Sequence, residues 1–480
     1  MNTKIVRSIL SKMLMVESTF FIIPLLLSFY YSEAWIIKKS YIITMGILLI
    51  VSLVLKINSE TTKKFYTKEG MITVALSWIL MSFFGALPFY LSGEIPSLID
   101  AFFETSSGFT TTGASILTDV EAMAKSMLFW RSFTHLVGGM GILIFALAIL
   151  PKSTKQTALL MKAEVPGPTF GKFVSKASTN ARILYMIYFA MTAVLIVILK
   201  LEGMPFFDAC VNAFGTAGTG GFAIKNNSIA FYNSPAIEIT LAIGMLIFGL
   251  NFNLYYMALT GRLKDALKSE EAKWYLGIVF IATLVIFLNL DPFDSPADKL
   301  RDSFFSVSSI ITTTGFSTAD FGIWPMFSQG IILFLMFTGG CAGSTAGGFK
   351  ISRFAIMVKS AIREIRQSIH PNRVFSLRFE GKGLNSKVLN AVKDYLIVYT
   401  LCIVILLFIV LIDAPDFLSA LSAVFTTFNN IGPGLGAVGP TSSFADLSYF
   451  NKVVLSFAML AGRLEIFPII ILLAPNTWKK

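Results

Sequence analysis

The chain has 480 residues, of which 55% are apolar and only 14% charged, with a mean hydropathy of +0.72. Charged residues make up about a quarter of ordinary soluble domains, so this composition excludes a soluble protein and leaves no room for a large soluble domain. The net charge of +11 would suit nucleic acid, but the basic residues are distributed as a membrane topology signal instead.

Apolar stretches of about 20 residues, the length that crosses a bilayer, recur along the chain. They lie near 12–31, 41–57, 71–92, 127–150, 182–201, 235–260, 274–290, 327–358, 390–412 and 450–474, which predicts ten spans. The basic start followed by an apolar run resembles a signal peptide. That run is too long, has no small-residue cleavage site and is followed at once by a second span, so it is expected to be a retained helix. Cys210, Cys341 and Cys402 are far apart and form no C-x-x-C pair. They support neither a disulfide framework nor a zinc site. His135 and His370 are the only histidines, which argues against a histidine-rich metal centre.

Segments 56–69, 151–182, 261–273, 350–393 and 476–480 together carry 26 Lys/Arg and 8 Asp/Glu. The alternate segments 93–125, 202–232, 291–325 and 413–447 carry 4 Lys/Arg and 15 Asp/Glu. Basic loops stay in the cytoplasm, so both termini are expected there. The acidic segments are too apolar for simple loops. "DAFFETSSGF", "DACVNAFGTAG", "DSFFSVSSII" and "SALSAVFTTF" are each about three helical turns, too short to cross a membrane, and predict re-entrant helices.

These segments repeat. Asp100, Asp208, Asp302 and Ser419 each stand thirteen residues before a glycine, Gly113, Gly221, Gly315 and Gly432. Four copies of one unit follow from this: span, short re-entrant helix, glycine turn, span. The Asp or Ser is expected to cap its helix through the side-chain oxygen. The helix C-terminus, partly negative, then points into the membrane. Non-helical backbone is tolerated at that depth only where protein buries it or it lines water. Four such turns around one axis predict a ring of carbonyls able to replace the hydration shell of a cation. The candidate filter residues are Thr111-Thr112-Gly113-Ala114, Thr219-Gly220-Gly221-Phe222, Thr313-Thr314-Gly315-Phe316 and Asn430-Ile431-Gly432-Pro433. A bound cation is expected at these residues only, with no other cofactor. One such segment alone would suit close helix packing; four at one offset favour the filter. Asn430, Ile431 and Pro433 depart from the other copies, and because proline lacks an amide hydrogen this quadrant is expected to be held differently.

The stretch "GGCAGSTAGG" from Gly339 to Gly348 has five glycines in ten residues, too many for a stable helix. It predicts a break near mid-membrane, acting as a small hydroxylated plug below the turns; glycine-mediated helix packing is the alternative. Gly339, Gly340, Gly343, Ser344, Thr345, Gly347 and Gly348 are its candidate gate residues. "GSTAGGFK" approaches a phosphate-binding loop, but Lys350 is one position late and no strand precedes it. Arg463 lies within the last apolar stretch, where a charge is costly unless paired or wet. Glu465 is two residues away, on a different helix face, which makes its pairing with Arg463 doubtful; a structural salt bridge elsewhere is the alternative to a gating role. Arg131 follows Trp130 at the start of a span and is expected to anchor at the outer interface.

The sequence resembles the Trk/Ktr/HKT superfamily of potassium transporters over residues of about 70–474. The carrying motifs are the four turns, "WRSFTHLVGGMGILIFALAILP" at 130–151, "NNIGPGLGAVGP" at 429–440 and "AGRLEIFP" at 461–468. Two extra leading spans resemble the TrkH branch. The resemblance implies an all-α polytopic membrane protein with two leading helices (1–69) and four pore units at 70–180, 181–270, 271–389 and 390–480. It also implies potassium uptake across the bacterial cytoplasmic (inner) membrane by a homodimer with one pore per subunit, working with TrkA, a cytoplasmic nucleotide-binding ring. It places the 339–348 stretch as an obstructing intramembrane loop, with Arg463 beside it. A serine at the Gly113 position accompanies sodium permeation in this superfamily, so Gly113 favours potassium. A sodium-permeable or ion-coupled symporter on the same scaffold is the alternative. The basic segment 350–393 is a docking place for the ring or for membrane lipids. No enzyme activity is expected: there is no polar catalytic constellation and no Walker or phosphorylation signature. Secondary transport by inverted repeats is disfavoured, because all four units run in one orientation.

Overall fold

The computed structural model describes residues 3–57, 66–141, 177–291 and 295–478, with the side chains of 177–181 left aside. The expected span at 127–150 beyond residue 141, most of the basic segment 151–182 and most of 56–69 lie outside the described residues. Apart from a minimal hairpin pairing Arg378–Phe379 with Lys382–Gly383, the described secondary structure is helical.

Six of the described helices are long and apolar enough to cross a membrane, seven if the bent pair at Pro235–Leu259 counts as one. Large apolar side chains face outward along them, such as Leu53 (62% exposed), Phe280 (69%) and Phe408 (69%). This pattern suits a hydrocarbon solvent, where outward Leu and Phe carry no penalty. Two leading helical segments, Thr3–Tyr30 and Trp35–Lys56, pack on the first unit through a shared core holding Phe21, Tyr41, Trp78 and Trp130.

The repeat is realised in space. The re-entrant pore helices are Leu98–Phe109, Phe206–Gly218, Pro296–Ile311 and Phe417–Phe428. The inner helices that follow the turns are Lys125–Gly139, Pro235–Phe248, Met326–Thr338 and Tyr449–Arg463. The first inner helix packs against the second pore helix, the second against the third, the third against the fourth, and the fourth against the first. The four units therefore close into a ring.

Two expectations about these helices need correction. Asp100, Asp208 and Ser419 occupy the third helical position, and Asp302 lies a full turn further in, because each helix starts earlier than expected. The caps are Ser97 and Asp416, which accept from the backbone N–H of Asp100 and Ser419, while Pro205 and Ser295 precede the other two without a side-chain bond. Asp100 instead pairs with Lys452 of the fourth inner helix at 2.8 Å, and Asp208 accepts from Tyr232 at 2.9 Å.

The continuous spans expected at 235–260 and 450–474 are also broken. The second inner helix turns by 89° after Phe248, and the fourth stops at Arg463, before Glu465 and Ile466 at φ +51° and +72°. Within the described residues all four inner helices end after 13 to 15 residues, not only the glycine-rich third. Two of the helix ends contact the loop between residues 339 and 350, the second through Gly249 O and the fourth through Arg463.

Candidate functional site

All four pore helices end in the same turn. The N–H groups of Thr111, Thr219, Thr313 and Asn430 donate to the carbonyl three residues back. The N–H groups of Thr112, Gly220, Thr314 and Ile431 donate five residues back, at 2.8 Å in every copy. This is the Schellman arrangement, whose hinge residue must be left-handed. The hinges have φ of +54°, +53°, +56° and +57°. Asparagine accepts that conformation readily, but threonine is β-branched and pays roughly 1–2 kcal/mol for it. Three such threonines are held by packing, all fully buried, as is typical of functional strain. The fourth quadrant keeps the same backbone turn through Gly432, since Pro433 comes after it, but it is held differently: the Asn430 amide donates to Thr112 Oγ1 at 3.0 Å and to Met459 O at 2.9 Å, and beyond the turn Gly434 N–H donates to Val438 O at 2.6 Å.

The next residue explains the repeated glycine. Gly113, Gly221, Gly315 and Gly432 have φ of +83°, +73°, +89° and +100°. A methyl group on Gly113 would lie 2.1 Å from Gly220 O; on Gly221, 1.9 Å from Thr314 O; on Gly315, 2.1 Å from Ile431 O; and on Gly432, 2.8 Å from Thr112 O. Each glycine thus leaves room for the carbonyl oxygen of the next unit, and the fourth returns to the first. The sequence-predicted turn residues are brought together as a closed ring of four carbonyls.

The loop from Gly339 to Lys350 sits directly against this ring. It departs from the third inner helix through Gly339 at φ +66°, ψ −167°, a region open only to glycine. Gly347 N–H donates to the Thr313 hydroxyl at 2.7 Å, and a methyl on Gly347 would lie 2.3 Å from Asn429 O. The broken second inner helix supplies its other anchors. Cys341 N–H donates to Gly249 O (3.0 Å), Thr345 Oγ1 to Phe248 O (3.2 Å), and Gly343 O accepts from Phe252 N–H (3.1 Å). Glu271 accepts from Ala342 N–H at 2.7 Å.

Arg463 joins the loop to the first and fourth units. Its guanidinium donates to Thr345 O at 2.7 Å, Gly138 O at 2.7 Å and Gly139 O at 2.6 Å. The carbonyls at the end of one inner helix carry partial negative charge, so they solvate a charge that could not otherwise rest in an apolar setting. Glu465 accepts from Arg353, which also lies over the Tyr395 ring. All eight candidate gate residues therefore lie at one place, Gly340 among them, stacked on Ala346 and Gly249 O.

Arg131 corrects another expectation. It is 3% exposed, donates to Glu104 at 2.5 Å and to Ala223 O at 2.8 Å, and covers the Phe222 ring at 3.6 Å. It is no interface anchor but a brace behind the first and second turns. Glu104 completes it by accepting from Ile116 N–H at 3.0 Å. His135 stacks on Phe222 at 4.2 Å and fills the space behind Gly220. Sequence reasoning missed Glu104, though an acid within a short apolar helix was a signal. Among the described residues no group of three His, Cys, Asp or Glu side chains is placed to hold a metal ion.

Comparison with known proteins agrees with this architecture. Residues 37–480 match the TrkH family model, described as a cation transport protein. The Trk system potassium uptake protein TrkH of Salmonella typhimurium is 37% identical over 422 residues, 86% of each chain. Its counterpart from Halomonas elongata is 32% identical over the whole of both chains. The crystal structure of the potassium transporter TrkH from Vibrio parahaemolyticus superposes with a TM-score of 0.89 at 32% identity, covering 99% of each chain. With a membrane-spanning helical scaffold, four cyclically packed units and this degree of likeness, the chain belongs to the TrkH family of cation transport proteins.

Proposed function

We propose that the protein takes potassium into the cell across the bacterial cytoplasmic membrane, through a filter made by the carbonyls of its four turns. The ring closure supports this reading: each of the four turn glycines accommodates a carbonyl of the next unit, those of Gly220, Thr314, Ile431 and Thr112 in turn. A dehydrated cation needs such oxygens in place of water. The pore helices aim their C-terminal ends at the same region, adding negative potential without a carboxylate. A field of neutral dipoles binds a monovalent ion loosely enough to release it.

The loop from Gly339 to Gly348 closes the path below. Its backbone hangs from Thr313, so a cation leaving the ring meets packed glycines. Arg463 fastens the loop and opposes cations by its charge. Opening then requires exchanging the Thr313, Arg463 and Phe248 contacts for others. The basic helix Ile351–Ile369 continues directly from the loop, which suits a handle for a TrkA-like cytoplasmic ring. Two copies of the chain, each with its own pore, and cytoplasmic termini complete the proposed assembly. The activity is transport, with no covalent chemistry.

The test is potassium, rubidium and sodium flux into proteoliposomes for wild type and Gly113→Ser. The substitution places a side chain 2.1 Å from Gly220 O at φ +83°, so the ring must widen. Wild type is expected to pass potassium and rubidium and exclude sodium, and the variant to admit sodium. Equal sodium flux in wild type would overturn the potassium reading in favour of a sodium-permeable carrier. Flux driven only by an imposed proton or sodium gradient would make it a symporter.

A further inference from the structure

Between the outer helix of the second unit (Ala177–Leu201) and its inner helix lies an apolar cleft of about 670 Å³ that opens sideways. Met186, Ala190 and Val194 line one wall, Ile243 and Ile247 the other, and Leu259 also lines the cleft. That volume is within the range of roughly 300–1,000 Å³ typical of sites for small molecules. Leu259 ends Phe252–Leu259, the helix turned by 89° from the span. Beyond it the chain exposes Leu259, Leu263 and Leu267, interleaved with exposed Arg262, Lys264 and Lys268. Apolar residues alternating with lysine and arginine at the end of a span mark a segment lying in the headgroup layer. Arg262 is engaged with Asp265 at 3.1 Å.

We propose that this cleft is a binding site for one anionic phospholipid, its acyl chain between the two helices and its phosphate against Lys264 and Lys268. A second copy of the chain would also cover the apolar walls, but the exposed Lys264 and Lys268, which follow the lining residue Leu259 by five and nine positions, favour a negatively charged occupant. The cleft reaches the loop described above through one turn of backbone. Ile247 and Phe248 line it, and Phe248 O and Gly249 O are the acceptors that hold Thr345 and Cys341. An acyl chain that supports this helix end keeps those carbonyls in place, so the lipid steadies the loop in its seated position. The site itself does not depend on which ion is carried; the coupling rests on reading the loop as the gate.

The full-length chain, stripped of lipid in detergent, is titrated with phosphatidylglycerol or phosphatidylethanolamine and lipid retention is read by native mass spectrometry. Each lysine near an anionic headgroup is worth about fivefold in affinity. Lys264→Gln with Lys268→Gln is therefore expected to lower phosphatidylglycerol retention roughly 25-fold, leaving phosphatidylethanolamine unchanged. Ala190→Trp, at an exposed position, is expected to abolish retention of the acyl chain. Unchanged retention in both variants overturns the site. Loss of a dimer peak in Ala190→Trp, with lipid retention intact, overturns it in favour of a subunit contact. Coupling is read without transport, as alkylation of buried Cys341 in a Cys210→Ser, Cys402→Ser background. Vesicles of phosphatidylethanolamine with phosphatidylglycerol are expected to slow it relative to phosphatidylethanolamine alone. Equal rates overturn the coupling.

Discussion

Replacing Thr313 by valine separates the loop from the turns with minimal change in shape. Both residues are β-branched, so the left-handed strain at φ +56° is the same before and after. What disappears is the hydroxyl that accepts from Gly347 N–H at 2.7 Å, in a place where Thr313 is fully buried. A buried N–H left without a partner costs about 1–3 kcal/mol. That penalty falls only on the seated loop, because a displaced loop can find water. The equilibrium should therefore shift toward displacement by roughly 5- to 150-fold. The assay is rubidium flux into proteoliposomes holding the purified chain alone. Thr219→Val is the control: it has the same side chain and backbone, but its hydroxyl bonds only to Gly218 O, at 2.6 Å. Thr313→Val should raise flux by a factor in that range without admitting sodium, and Thr219→Val should leave it near wild type. Unchanged or lower flux in Thr313→Val, with rubidium-over-sodium selectivity intact, would refute the idea that this bond holds the path shut.

Arg463→Ala removes three donors to Thr345, Gly138 and Gly139 carbonyls and should raise single-protein flux. Arg463→Lys keeps the charge but not the fork, and should fall between, as patch recording of fused vesicles can show. Arg131→Ala leaves Glu104 buried without its partner, which costs about 3–5 kcal/mol. Its thermal midpoint in detergent should drop, and Arg131→Met with Glu104→Gln should recover much of the loss. In the segment between the first pore helix and the inner helix that follows it, the Asn226 amide holds the Asp119 carboxyl below its ordinary range, and the Lys225 ammonium does so for Glu121. Groups depressed by folding contribute above their unfolded pKa and lose that contribution as pH falls through the folded value. Loosening should therefore begin below about pH 4. Hydrogen exchange of residues 119–124, corrected for intrinsic rates, should rise there, and Lys225→Gln should produce the rise at neutral pH.

The four units, the turn residues and the glycine-rich break were legible in the sequence because each has a local cause. A re-entrant helix must be short and apolar, and a left-handed turn selects glycine. A run of glycines cannot remain helical. Arg131 misled for the opposite reason: an arginine at a span end looks the same whether it meets headgroups or a buried acid 27 residues earlier. Asp100 misled similarly, since its partner Lys452 lies in another unit. The breaks at Gly249 and Glu465 did carry local signals, Asn251 capping the helix after the first and Pro468 in the first turn after the second, but each sits in a run apolar enough to read as one span. What the sequence does not show is that both broken ends meet the loop, Gly249 O accepting from Cys341 N–H and Arg463 donating to Thr345 O.

Local chemistry written into the sequence therefore determined the membrane scaffold, the fourfold repeat and the glycine at each turn, because bilayer thickness and backbone sterics act on neighbouring residues. The tertiary structure alone decided that the four turns close on one another, that Thr313 and Arg463 hold the loop, and that Glu104 braces Arg131. Those contacts join residues up to 325 positions apart, and no periodicity along a chain specifies which distant carbonyl a donor will find.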